Sequence, residues 1–145
     1  MILGLSTPVI LLGAIAIAFL LIYLPFLAVA YNRFSLGYNM NAPRTMFDRF
    51  PPYAQRAGWA HQNSIETFAP FATAVLIAYL TQPSSSLAAY CAIAFVIARG
   101  FYSVFYIADV PLGRSLMFGI GTISTITLYL SSILTVAGSS SITLN

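Results

Sequence analysis

The chain has no lysine, one cysteine, one histidine and one tryptophan, and charged residues fill only 6% of its 145 positions. Ordinary soluble domains carry about 25% charged residues, so the shortage excludes a conventional water-solvated surface. All the positive charge rests on Arg33, Arg44, Arg49, Arg56, Arg99 and Arg114, opposed by Asp48, Glu66 and Asp109. The net charge of +3 is small and dispersed, whereas nucleic-acid phosphates require a basic patch, so no nucleic-acid partner is expected. A single cysteine excludes an intrachain disulfide and offers no thiolate cluster to a metal. Cys91 sits in "AAYCAIAFVIA" and reads as a small buried hydrophobe. No basic residue precedes the first apolar run, and that run is too long for a secretory signal, so it reads as a retained spanning helix.

What is present is apolar: 59% hydrophobic residues and a mean hydropathy of +0.87, the composition of an integral membrane protein. A helix crossing the hydrocarbon core needs about 20 residues. Residues 8–31, 87–108 and 112–136 meet that length, with a kink expected at Pro25. The clean apolar part of the remaining segment, Phe68 to Leu80, is too short. Its helix must extend backwards through "RAGWAHQNSIETF" toward Pro51-Pro52, giving a span of about 54–81. The loop over about 32–53 carries three arginines, whereas "TQPSSS" carries no charge. The positive-inside rule then places the 32–53 loop in the cytoplasm and both termini on the other side. No repeat or domain boundary is visible, and the reading is an all-α, up-down four-helix bundle forming one domain over 1–145.

The few polar residues gather on faces. At about 100° per residue, Arg56, Asn63 and Glu66 fall within roughly 80° of one another, with Gln62 at the edge. His61 points almost the opposite way and shares a site with Asn63 only across a groove or a neighbouring subunit; a hydrogen-bonded structural or headgroup-level histidine is the simpler reading. On the third helix Arg99, Tyr102, Tyr106 and Asp109 likewise fall within roughly 80°. The fourth opens with "DVPLGRS", where Pro111 suits a first helical turn and Arg114 accompanies N–H groups that attract anions. A charge at membrane depth costs about 2.5 to 3.5 kcal/mol, so such groups face a bundle interior or a wet cavity. An interhelical polar clasp and a ligand pocket both satisfy that requirement. Counting Arg56, Arg99 and Arg114 against Glu66 and Asp109 leaves one positive charge for a ligand to balance.

"RAGWAHQNSIETFAPF" on the second helix and "ARGFYSVFYIADVPLGRS" across the third and fourth together resemble the MAPEG family, the membrane-associated proteins of eicosanoid and glutathione metabolism, and specifically its short prokaryotic members. The resemblance implies a homotrimer with glutathione as co-substrate between neighbouring subunits, in a pocket open to the cytoplasmic side. It implies that Asn63 and Glu66 hold the glutathione backbone and amino group, and that Arg56, Arg99, Tyr102, Gln62 and His61 are further binding candidates. Arg114 matches the arginine that stabilises the thiolate, with Tyr106 as its catalytic companion. The implied activity is a glutathione transferase or peroxidase acting on lipophilic electrophiles or hydroperoxides that arrive through membrane lipid, in a prokaryotic inner or internal membrane. The chain departs from the pattern at two positions. Eukaryotic members usually carry Arg where Trp59 stands, and some carry Arg where Gln62 stands. Neither replacement clamps a carboxylate as Arg does. A weaker glutathione affinity, a different thiol, and a non-enzymatic membrane subunit or lipid-binding scaffold all remain compatible with that loss.

Overall fold

A computed structural model describes residues 4–83 and 86–142. It is all-helical: α1 spans Thr7–Ser35, α2 Pro52–Thr81, α3 Leu87–Ile107 and α4 Pro111–Ile142, with a 3-10 segment over Pro43–Arg49 between α1 and α2. All four long helices are apolar and long enough to cross a bilayer. The helices expected from sequence are present; α1, α2 and α4 run longer than expected, and α3 ends at Ile107, one residue short of the expected 108. α1 continues past Tyr31 because Asn32 is sheltered, its amide donating to Ala28 O at 2.8 Å and to the Tyr53 hydroxyl at 3.0 Å. α2 starts at Pro52, where a missing N–H costs nothing, and Pro51 before it is extended. The loop expected over 32–53 is partly helical, since Met46 and Phe50 are buried and draw the 3-10 segment onto the bundle.

α2 and α3 each pack against both α1 and α4. Alanines make this approach close: Ala54, Ala57, Ala60, Ala74 and Ala78 on α2, and Ala88, Ala89, Ala92 and Ala98 on α3, are all buried. Between membrane helices the driving force is packing rather than escape from water, so small residues that admit a neighbouring backbone replace bulky ones. Phe71 and Phe95 fill the centre, their rings stacked 3.6 Å apart at 2°. Leu11, Val75 and Leu128 join them in the core, while many other bulky aliphatics point outward; Leu20, Leu27, Leu80 and Leu112 are all well over half exposed, as a lipid-facing surface requires.

Pro25 lies buried within α1 and cannot donate to the preceding turn. His61 Nδ1 reaches the carbonyl of Ile22 in that turn at 2.8 Å. A carbonyl only accepts, so Nδ1 carries the proton. His61 is therefore a tie between α2 and the bend of α1, with the Phe26 ring 5.0 Å from its own.

Candidate functional site

The site is built around Arg99, which α3 points into the bundle and leaves only 4% exposed. Its Nη2 donates to Asn63 Oδ1 at 3.0 Å and to Ser64 Oγ at 3.2 Å, both on α2. The guanidinium also lies 4.2 Å from the centre of the Tyr102 ring. One turn on, Tyr106 meets Tyr102 edge-to-face at 5.5 Å, and the Arg114 guanidinium covers the Tyr106 ring at 4.6 Å. The result is a continuous array, Asn63–Arg99–Tyr102–Tyr106–Arg114, crossing from α2 through α3 to α4. Helical spacing explains the middle of it: residues three and four apart on α3 share one face.

Arg114 is delivered by the short connection between α3 and α4. Asp109 occupies the left-handed region there, at φ 61°, and closes the turn. Gly113 then lets α4 press onto α3, since a Cβ at that position would meet the Phe105 ring at 2.9 Å. A cavity of about 280 Å³ lies against the array, lined by Asn63, Tyr102, Tyr106, Arg114, Ser115 and Phe118. Phe118 also lines a neighbouring apolar groove of about 260 Å³, together with Thr67, Pro70, Thr122, Ile126 and Tyr129.

Other candidates stand elsewhere. Arg56 forms an ion pair with Asp109 at 3.4 Å and donates from Nε to Ile107 O at 3.1 Å, so it clamps the end of α3. Asp109 belongs to the turn rather than to the α3 face, and its side chain is 66% exposed. Glu66 and Gln62 lie on the exposed side of α2, joined at 3.1 Å from Gln62 Nε2 to Glu66 Oε1. His61 is turned to α1. Within one chain the cavity thus gathers Asn63, Tyr102, Tyr106 and Arg114, with Arg99 behind them, and leaves out Arg56, His61, Gln62 and Glu66.

The charge tally changes accordingly. Arg56 and Asp109 satisfy each other at the edge, and Glu66 faces outward. Among the described residues no carboxylate lies within 4 Å of Arg99 or Arg114. Two guanidiniums, instead of one, are left without a carboxylate: Arg114 lines the cavity, and Arg99 lies behind its Asn63 and Tyr102 walls and lines the neighbouring groove. Sequence reasoning missed Ser64 and Phe118. Ser64 had a findable signal, because a buried guanidinium needs several acceptors and Ser64 follows Asn63 directly. Phe118 had none, since a phenylalanine in an apolar helix carries no distinguishing pattern.

These features define a multi-pass helical membrane protein with an anion-attracting pocket where α2, α3 and α4 meet. Its family follows from a match to the family model described as MAPEG family, over residues 10–134; the chain belongs to that family. No curated protein and no solved structure matches it.

Proposed function

We propose that the chain is a membrane-bound glutathione-dependent transferase or peroxidase in which Arg114 stabilises the glutathione thiolate and Tyr106 holds the sulfur beside it. The observation that carries this reading is the Asn63–Arg99–Tyr102–Tyr106–Arg114 array, in which Arg114 lines the cavity and Arg99 stands directly behind it, neither facing a carboxylate within 4 Å among the described residues. Glutathione as its thiolate has two carboxylates, one ammonium and one sulfur anion, a net charge of about −2 by ordinary pKa values, which those guanidiniums balance. A cysteine thiol titrates near pH 8.5, and each unit of lowering requires about 1.4 kcal/mol, within reach of one close arginine beside a helix N-terminus. The apolar groove sharing Phe118 supplies a path for a lipophilic electrophile or hydroperoxide from the bilayer.

Glutathione also needs a group for its ammonium, and Glu66, exposed on α2 one turn from Asn63, is the carboxylate beside the cavity that a neighbouring copy would enclose. A carboxylate exposed on a spanning helix is costly in lipid. Both considerations support the homotrimer, with the arginine-bearing loop in the cytoplasm, both termini opposite, and residence in a prokaryotic inner or internal membrane.

Thiolate absorbance on adding glutathione to the purified protein tests the reading. The signal is expected to saturate at pH 7, where a thiol in water is mostly protonated, and to vanish in Arg114→Gln while the oligomer persists. Absence of any saturable signal at millimolar glutathione would overturn it. By the resemblance, Trp59 stands where eukaryotic members usually carry Arg and Gln62 where some members do, and both favour one second reading, a non-enzymatic membrane subunit or lipid-binding scaffold. Stoichiometric partners that co-purify in mild detergent and stay bound in Arg114→Gln would establish that alternative.

A further inference from the structure

Arg99 has donors to spare. Its Nη2 spends its hydrogens on Asn63 and Ser64, but Nε and Nη1 have no hydrogen-bond partner among the described residues. The residue is nonetheless only 4% exposed. On the side facing α1, between α1, α2 and α3, lies a cavity of about 10 Å³. Arg99 lines it together with Leu21 of α1 and Ser64 and Thr67 of α2, and it shares no lining residue with the cavity at Arg114.

Every other polar group at this cavity accepts. Ser64 Oγ donates its hydrogen to Ala60 O at 2.9 Å and Thr67 Oγ donates to Asn63 O at 2.9 Å, so each hydroxyl has only lone pairs left to offer. The Leu21 carbonyl lacks the usual N–H from four residues on, because that residue is Pro25. An occupant therefore has to accept from a guanidinium and donate to oxygens at once. A halide or carboxylate sets its lone pairs against those of the oxygens, a cation meets the charge of the arginine, and a hydrocarbon tail leaves the donors unmet. One water needs about 10–15 Å³ of such space, so the cavity admits that molecule and nothing larger.

We propose that this cavity is a binding site for a single ordered water, which accepts from Arg99 and donates to two of the three oxygens of Ser64, Thr67 and Leu21. It ties the bend of α1 to the guanidinium on α3. Water is neutral, so it satisfies the donors without cancelling the charge, whereas a carboxylate in its place does both. The positive charge of Arg99 thus stays available to an anion on the other side of Asn63 and Tyr102. The site rests on these contacts alone and does not depend on the thiol reading.

A short X-ray pulse turns bound water into hydroxyl radicals that oxidise the side chains beside it, and mass spectrometry reads the positions. In the full-length protein in mild detergent, oxidation is expected at Leu21 and Phe68, which both line the cavity. Phe71 is fully buried, lines none of the described cavities, and is expected to stay unmodified. Exposed Tyr38 reports the radical dose in every sample. Thr67→Val keeps the shape of the wall and removes one acceptor, so oxidation of Leu21 and Phe68 falls by up to about tenfold. Ala18→Val fills the space from α1 and abolishes it; Thr67→Val carries the test if Ala18→Val fails to fold. Leu21 and Phe68 unmodified in the parent chain, or equally modified in parent and Thr67→Val, would overturn the proposal. An anomalous peak beside Arg99 and Ser64 in bromide-soaked crystals would overturn water in favour of an anion.

Discussion

Arg99 is the residue on which the site turns, because a buried guanidinium holds its position only while its acceptors remain. Asn63→Ala leaves its Nη2 with Ser64 alone, and the expected loss is about 1–3 kcal/mol, read as a lower Tm in detergent. Arg99→Lys does not preserve the arrangement, since one ammonium cannot bond Asn63 and Ser64 while lying flat over Tyr102. His61 makes the contrasting case. His61→Phe keeps a ring beside Phe26 but removes the bond to the Ile22 carbonyl, so stability falls by about 1 kcal/mol while glutathione binding is unchanged. Lost binding at unchanged stability would instead return His61 to the thiol site.

At the level of elements, the α3–α4 connection decides where Arg114 stands. Gly113→Ala drives a Cβ against Phe105 and is expected to cost about 1–3 kcal/mol and to weaken thiolate stabilisation. Phe105→Leu in the same chain makes room, so the double variant recovers part of both losses, a coupling that a mutant cycle measures. Asp109 separates charge from backbone in the same turn. Its ion pair with Arg56 is exposed, so Asp109→Asn costs less than about 1 kcal/mol. Asp109→Val costs more, because a β-branched residue resists φ 61°. Equal Tm values for these two variants would show that the turn does not depend on that conformation.

For the whole molecule, the informative surface is the outer side of α2, where Glu66 and Gln62 bond only to each other among the described residues. Leaving a charged group at membrane depth costs about 2.5 to 3.5 kcal/mol on insertion scales, which a second copy avoids by covering it. Native mass spectrometry from mild detergent is expected to find three chains per particle. A monomer that retains glutathione binding would show that the cavity of one chain suffices.

Much of this was legible from residue order. Hydropathy and length located all four spans, because a bilayer demands about 20 apolar residues whatever the packing. The scarcity of charge singled out Asn63, Arg99, Tyr102, Tyr106 and Arg114, and helical periodicity aligned the three on α3. Periodicity has no access to distances between helices. It put Arg56 with Asn63 and Asp109 with Tyr106, whereas the packed bundle pairs Arg56 with Asp109 and gives Asn63 to Arg99. Which guanidinium is neutralised and which stays free for an anion depends on separations of 3 to 4 Å across three helices. Only the tertiary structure sets those separations, through buried alanines, the ring against Gly113, and the left-handed turn at Asp109.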